Sequence, residues 1–274
     1  MGRGEVAAVE LYCDMSLLLR YKSMLMAATE VANEMGATIQ AKRVAELMNE
    51  EYTGNDGVPI PFKLVPIGNV SEGLASAIMP GVLMLILQQC IILAICFLGV
   101  TSRERARVKG GKDPLELEGV GALSTILGKS ICYLMLMIVP TIFVVHFVPV
   151  IFDFPMNGDV VDITIFMLPY LLAVIFFGML IQRFIPDRES TFLVFVFTSI
   201  VFIFLSGISW PRYAMSEFWQ LVGDCIPSTW GVTGFVGMNT VGATLEQQST
   251  PYLMLCFLAF VYFLINSMIM LKRK

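Results

Sequence analysis

The amino-acid sequence predicts an all-α polytopic membrane domain of about five transmembrane helices, preceded by an N-terminal extracytoplasmic α+β domain. Three observations carry that expectation. Of the 274 residues, 57% are hydrophobic and only 15% charged, with a mean hydropathy of +0.76; a soluble domain has about 45–50% apolar and about 25% charged residues. The apolar residues are also clustered. Residues 1–76 read as soluble sequence, and nearly every long apolar run follows Ala77. Lysine and arginine, in turn, are concentrated in alternate loops.

A helix that crosses the hydrocarbon core needs about 20 mostly apolar residues. Five segments qualify, at 77–100, 130–151, 164–181, 191–209 and 251–271, and none contains Asp, Glu, Lys or Arg. All are expected to be helices, because an open backbone in lipid leaves its amides unpaired. The loop after the first span holds Arg103, Arg105, Arg107, Lys109, Lys112 and Lys129. Arg183 and Arg188 lie between the third and fourth, and Lys272, Arg273 and Lys274 form the tail. Residues 152–163 carry Asp153, Asp159 and Asp162 without a base, and residues 210–250 have only Arg212. Base-rich short loops are cytoplasmic, which puts the C-terminus inside and residues 1–76 outside. Residues 1–20 have no apolar run or cleavage site of a signal peptide, so an earlier hydrophobic anchor is expected upstream.

Within residues 1–76, the stretch 6–13 alternates as a short strand. Asp14 or Ser16 then caps a helix in which Leu18, Tyr21, Leu25, Ala28, Val31, Ala32 and Met35 recur at helical spacing. Gly36 reads as its stop, with a second helix near 38–49 and a returning strand at 62–67. With so few strands, the unit reads as an incomplete part of a domain.

Several chemistries are excluded or weakened. The net charge is −4, and no basic stripe is interleaved with aromatics, so nucleic acid is not expected as a partner. Six cysteines form no CxxC pair; Cys13 and Cys225 share the outer side, but spacing alone does not pair them. Gly128, Lys129 and Ser130 mimic a phosphate loop, yet the motif needs a glycine where Leu123 stands. His146 is the only histidine, too few for a metal site, and no Ser or Cys nucleophile accompanies a His and an Asp. No catalytic or metal residues are therefore expected. His146 reads first as a neutral histidine packed near the outer interface and second as a substrate contact, since ionisable groups within spans are functional candidates. Gln88 and Gln89 must face a neighbouring helix or a cavity.

Two loops are more informative. Residues 101–129 mix both signs, break at Gly110 and Gly111, and continue into a stretch at 115–127 with the pattern of a helix along the membrane. They read as a solvated basic flank or as a docking surface. In the last outer loop, Pro211 and Pro227 bracket an amphipathic stretch with Tyr213, Phe218, Trp219, Leu221 and Val222. Ser228 or Thr229 then caps a second, glycine-rich apolar stretch. Aromatics favour the interface, so these segments are expected to lie on the membrane or re-enter it.

Together these features resemble the permease subunit of an ABC-2 type ABC transporter, of the bacterial multidrug-export kind with a large periplasmic insertion. The match runs through Met79, Pro80 and Gly81 entering a span, and Ser102, Arg103, Glu104, Arg105 and Ala106 leaving it. It continues through the turn from Gly207 to Pro211, through Ile226, Pro227, Ser228 and Thr229, and ends near residues 239–243. It covers essentially the whole chain. Such permeases have six spans with the periplasmic domain after the first, so this chain resembles one without its first span.

The resemblance implies a role for each group of residues. Arg103, Glu104 and Arg105 would belong to the loop that docks on a cytoplasmic ABC ATPase, which would bind the ATP and magnesium; no cofactor is implied for this chain. Gly207, Pro211, Trp219, Pro227, Ser228 and Thr229 would form the outer re-entrant segment, and Gln88, Gln89 and His146 the candidate substrate path. The implied activity is export of a hydrophobic small molecule, drug or lipid across a bacterial inner membrane. A second permease copy or a related permease, membrane lipid and a periplasmic adaptor complete the partners. Two alternatives stay open: an intramembrane enzyme acting on lipid or peptide, and a non-transporting scaffold or sensor subunit.

Overall fold

A computed structural model describes residues 18–47, 74–108, 121–154 and 156–271. The chain divides into two compact units, Met1–Pro66 and Ile67–Lys274. In the first unit the described residues form one continuous helix, α1 (Leu18–Leu47). This corrects the expected pair of helices. Gly36 does not stop the helix, although glycine costs about 1 kcal/mol there relative to alanine. Good helix formers flank it on both sides, with Ala32, Glu34 and Met35 before and Ala37, Gln40 and Ala41 after. The strands expected at 6–13 and 62–67, and Cys13, lie outside the described residues.

The second unit contains α2 (Leu74–Val108), α3 (Ala122–Ile151), α4 (Val160–Ile181), α5 (Arg188–Leu205), α6 (Glu217–Asp224), α7 (Pro227–Val241) and α8 (Ser249–Leu271). Five of these helices, α2, α3, α4, α5 and α8, are long and apolar enough to cross a membrane. The chain is a multi-pass membrane protein. At 1.5 Å per residue α2 is about 52 Å long, well over the roughly 30 Å of hydrocarbon, and its last turns carry Arg103, Glu104, Arg105 and Arg107. The separate in-plane helix expected at 115–127 is not seen as such: residues from Ala122 onward are the first turns of α3, and 109–120 lie outside the described residues. Helix α5 ends four residues earlier than the apolar run, because Gly207 turns the chain with a φ of +88°.

The core forms around α4. Its buried Phe166, Tyr170, Val174 and Ile175 meet Met84, Leu87, Ile91 and Ile95 of α2, which recur at three- and four-residue spacing. Helix α8 adds Leu255, Leu258 and Tyr262. By contrast α3 and α5 form an outer shell. On α5, Leu193, Val196, Phe197, Ile200 and Phe204 are all exposed and apolar, as a face toward lipid or another protein chain must be.

Helix α7 is short and lies within this core, with Ser228, Thr229, Phe235 and Met238 buried. Pro227 occupies its first turn, where a missing N–H costs nothing. Gly242 ends it in the left-handed conformation at φ +77°. Gly231 packs against the Tyr170 ring and Gly234 against the Phe166 ring so closely that a Cβ has no room, with Pro251 of α8 at 3.2 Å from where a Cβ on Gly234 would stand. Only glycine lets α7 approach α4 this closely.

A methyl group at Gly234 is therefore expected to overpack the seam and cost about 1–3 kcal/mol. Gly128, inside α3 with open space around it, is the control: Gly128→Ala is expected to be neutral or to stabilise by up to about 1 kcal/mol. Thermal unfolding of both purified variants in one detergent checks the contrast.

Candidate functional site

Several polar groups inside the apolar layer join helices, while others, such as Thr141 and Ser267, donate to their own helix. Gln88 and Gln89 are neighbours on α2 and so point about 100° apart, toward different helices. Gln88 is fully buried and donates through Nε2 to Ser228 Oγ of α7 at 3.1 Å, while its Oε1 has no partner among the described residues. Gln89 donates through Nε2 to Thr198 Oγ1 of α5 at 3.3 Å, and the Thr198 hydroxyl donates to Val194 O of its own helix at 2.7 Å. Tyr170 of α4 donates its hydroxyl to Met84 O of α2 at 2.6 Å. One stretch of α2 is thereby tied to α4, α5 and α7. Ser228 thus places the first turn of α7 against the middle of α2, and the helix runs from there toward residues 157–158, where Asn157 N–H donates to Asn239 O at 2.9 Å.

His146 is not packed, contrary to expectation. It belongs to a π-helical turn, Phe143–Phe147, and is exposed, with its ring edge-on to Phe147 at 6.4 Å between centroids. Pro149 just beyond has no N–H to offer the preceding turn, and the helix widens there, Val148 N–H donating to Phe143 O. The widened turn carries His146 to the outside of α3.

At the basic end, Arg103 of α2 reaches across to the turn that leaves α4. Its Nη2 donates to Gln182 O and Ile185 O, both at 2.6 Å; Nη1 lies 3.5 Å from Arg183 O, and Nε donates to Gly99 O at 3.4 Å. Carbonyls at a helix C-terminus lack intrahelical partners and carry negative potential, which suits a guanidinium. Glu104 pairs with Arg188 of α5 at 2.6 Å, and the Arg188 guanidinium lies 5.6 Å over the Phe97 ring. Arg183 donates to Asn266 Oδ1 of α8 at 3.2 Å; Asn266 Nδ2 in turn donates to Phe176 O at 2.9 Å and Tyr262 O at 2.8 Å. Glu104, Arg105, Val108 and Arg188 line a shallow open hollow of about 250 Å³.

At the opposite end the loop after α5 is held by charge. Arg212 pairs with Asp224, its guanidinium lies 5.4 Å over the Trp230 ring, and Trp230 Nε1 donates to Asp224 O at 3.0 Å. Gly207 makes room for the Arg212 side chain, 3.1 Å from where a Cβ would stand. Pro211 is extended at the start of the short turn Arg212–Ala214. Thr229 donates to Gly223 O at 2.7 Å, closing the α6–α7 corner, while Trp219 and Phe218 of α6 are exposed and meet edge to face.

The predicted residues thus fall into separate places: Gln88 and Ser228 are brought together, Arg103 and Glu104 share one end, and His146 joins neither. Tyr170, Thr198, Arg183 and Asn266 were not singled out from sequence. Asn266 had a usable signal, since it is an uncharged amide inside an apolar run just as Gln88 is. Among the described residues no group of three or more His, Cys, Asp or Glu comes together.

The family model described as ABC-2 family transporter protein matches residues 2–268. No curated protein and no solved structure matches the chain.

Asn266→Leu is expected to destabilise the bundle by about 1.5–3 kcal/mol, because hydrogen bonds to a charged partner are the costlier ones to lose; unfolding in detergent measures it. At the other end, Arg212→Asp is expected to lower the unfolding midpoint, and adding Asp224→Arg in the same chain to restore part of it. A double-mutant cycle reads the coupling.

Proposed function

We propose that this chain, which belongs to the ABC-2 transporter family, is the permease subunit of an ATP-driven exporter for a hydrophobic small molecule, drug or lipid. The observation that carries the proposal is the family match over residues 2–268, on a chain with five helices able to span a membrane. A cytoplasmic ABC ATPase supplies the nucleotide chemistry, and a second copy or related permease completes the path. The membrane is a bacterial inner membrane, with the base-rich ends of the helices inside.

The cargo class follows from what the spans offer. Their apolar stretches bring amides and hydroxyls into the layer but no carboxylate or amine. Such walls favour an apolar solute. Movement requires that nucleotide on the partner favour one of two arrangements of the spans, because a ligand that binds both equally shifts nothing. The α2–α5 seam is the natural place to open. Its middle is bridged by the long Gln89–Thr198 contact, and Thr198 has its own helix as a second acceptor, while the Glu104–Arg188 pair and the Phe97–Phe192 contact fasten its basic end.

Reconstitution of the full-length permease with its ATPase in liposomes is expected to give ATP-dependent movement of a lipophilic dye toward the side of residues 210–250. ATP hydrolysis without any dye or lipid movement would overturn the transport reading. Sidedness has its own check. In a background without native cysteines, Trp219→Cys is expected to react with an impermeant maleimide from outside intact cells, and Val108→Cys only after permeabilisation.

A further inference from the structure

We infer that Arg103 is a positioning residue, which clamps the extension of α2 beyond the membrane to the α4–α5 turn so that the two move as one body. A surface contact would present its guanidinium outward. Arg103 instead directs it at the carbonyls of Gln182, Arg183 and Ile185, on a segment about eighty residues away in sequence, and at Gly99 on its own helix. Four further contacts fasten the same junction. The Gln182 side chain lies against Gly99 so closely that a Cβ there has no room. Glu104 pairs with Arg188 on the far side of the turn, and Arg188 covers Phe97. Ile185, within the turn itself, is buried against the core.

This arrangement divides the roles of neighbouring residues. Arg103 faces inward onto the turn, whereas Glu104, paired with Arg188, lines the hollow beside Arg105, which is exposed, and Val108, which is 85% exposed. The clamp makes the extension a lever: displacement of its exposed face is passed to α4 and α5 through the turn between them. The lever role rests on the docking reading above, but the clamp does not.

Backbone hydrogen exchange of the full-length chain in detergent tests the clamp without any partner. Arg103→Gln is expected to speed exchange in residues 182–190 by at least about tenfold, since local opening governs exchange, and to leave residues 227–241 within about twofold of wild type. Arg103→Lys, which keeps the charge but not the fork of donors, is expected to fall between. Unchanged exchange at 182–190 in both variants overturns the clamp, and so does equal acceleration at 227–241, which marks general loosening.

Co-purification with the ATPase and ATP-driven dye movement test the lever. Arg105→Glu combined with Val108→Asp is expected to leave exchange at 182–190 unchanged while weakening association at least about tenfold. Arg103→Gln is expected to retain association within about threefold while losing most dye movement. Loss of association in Arg103→Gln with normal exchange would make Arg103 a direct contact and overturn the inference. Failure of the wild-type chain to associate would sink the docking reading and the lever, with the exchange result still deciding the clamp.

Discussion

A helix whose first turn is buried among other helices has backbone groups that no water can satisfy, and α7 is such a helix. Its first N–H groups must be covered by protein, and its flanks must lie against other helices along their length. The surrounding helices meet that demand with specific chemistry. Ser228 faces Gln88, the Tyr262 hydroxyl donates to Cys225 O just ahead of the first turn, and Thr229 closes the corner behind it. The glycine seam against Tyr170 and Phe166 lets α7 sit deep enough for these contacts to form. The positions of α2, α4 and α8 are in that sense set by the segment they enclose.

The remaining spans are held differently. Helix α5 reaches α2 through the Gln89–Thr198 contact and through the charged cluster at its first turn, and most of its length is exposed. Interhelical hydrogen bonds in membranes average well under 1 kcal/mol apiece, so such a helix is cheap to displace along its middle and firmly attached at one end. That asymmetry suits a transporter, whose path must open without dissolving the structure around it. It also places the attachment at the base-rich end, where the proposed ATPase acts.

Much of this was legible in the sequence, for a physical reason: hydrocarbon imposes a length and a composition on every span, and both are written directly in the residues. Five helices long and apolar enough to span a membrane overlap the five expected segments, though α2 runs eight residues past its segment and α3 begins eight residues before its own, and the need of Gln88 and Gln89 for a partner was clear from composition alone. Which partner each found was not. Gln88 meets Ser228 because α7 packs against α2, a tertiary contact that neither the expected re-entrant segment nor the polarity of Gln88 specified. Gly36 shows the opposite failure, a local stop signal overridden by strong helix formers on both sides. His146 shows a third kind, since an exposed and a packed histidine have the same sequence context within an apolar run. Arg103 read as part of a basic flank or of a docking surface, and pattern alone does not reveal an acceptor eighty residues away.

The widened turn at Phe143–Phe147 has a meaning in terms of helical phase. A π turn is equivalent to an α-helix into which one residue has been inserted, so the sequence pattern after it is offset by about 100° from the pattern that precedes it. The two ends of α3 therefore follow different angular frames: the stripe that begins with Ala122 and Ile126 does not extrapolate to the face that buries Pro149. A chain of this architecture that lacked one residue in that turn would restore a uniform helix and leave the next turn, Pro149 included, in its present surroundings. A one-residue difference in length at this point is thus absorbed by the turn and is not passed on as a rotation of the end of α3.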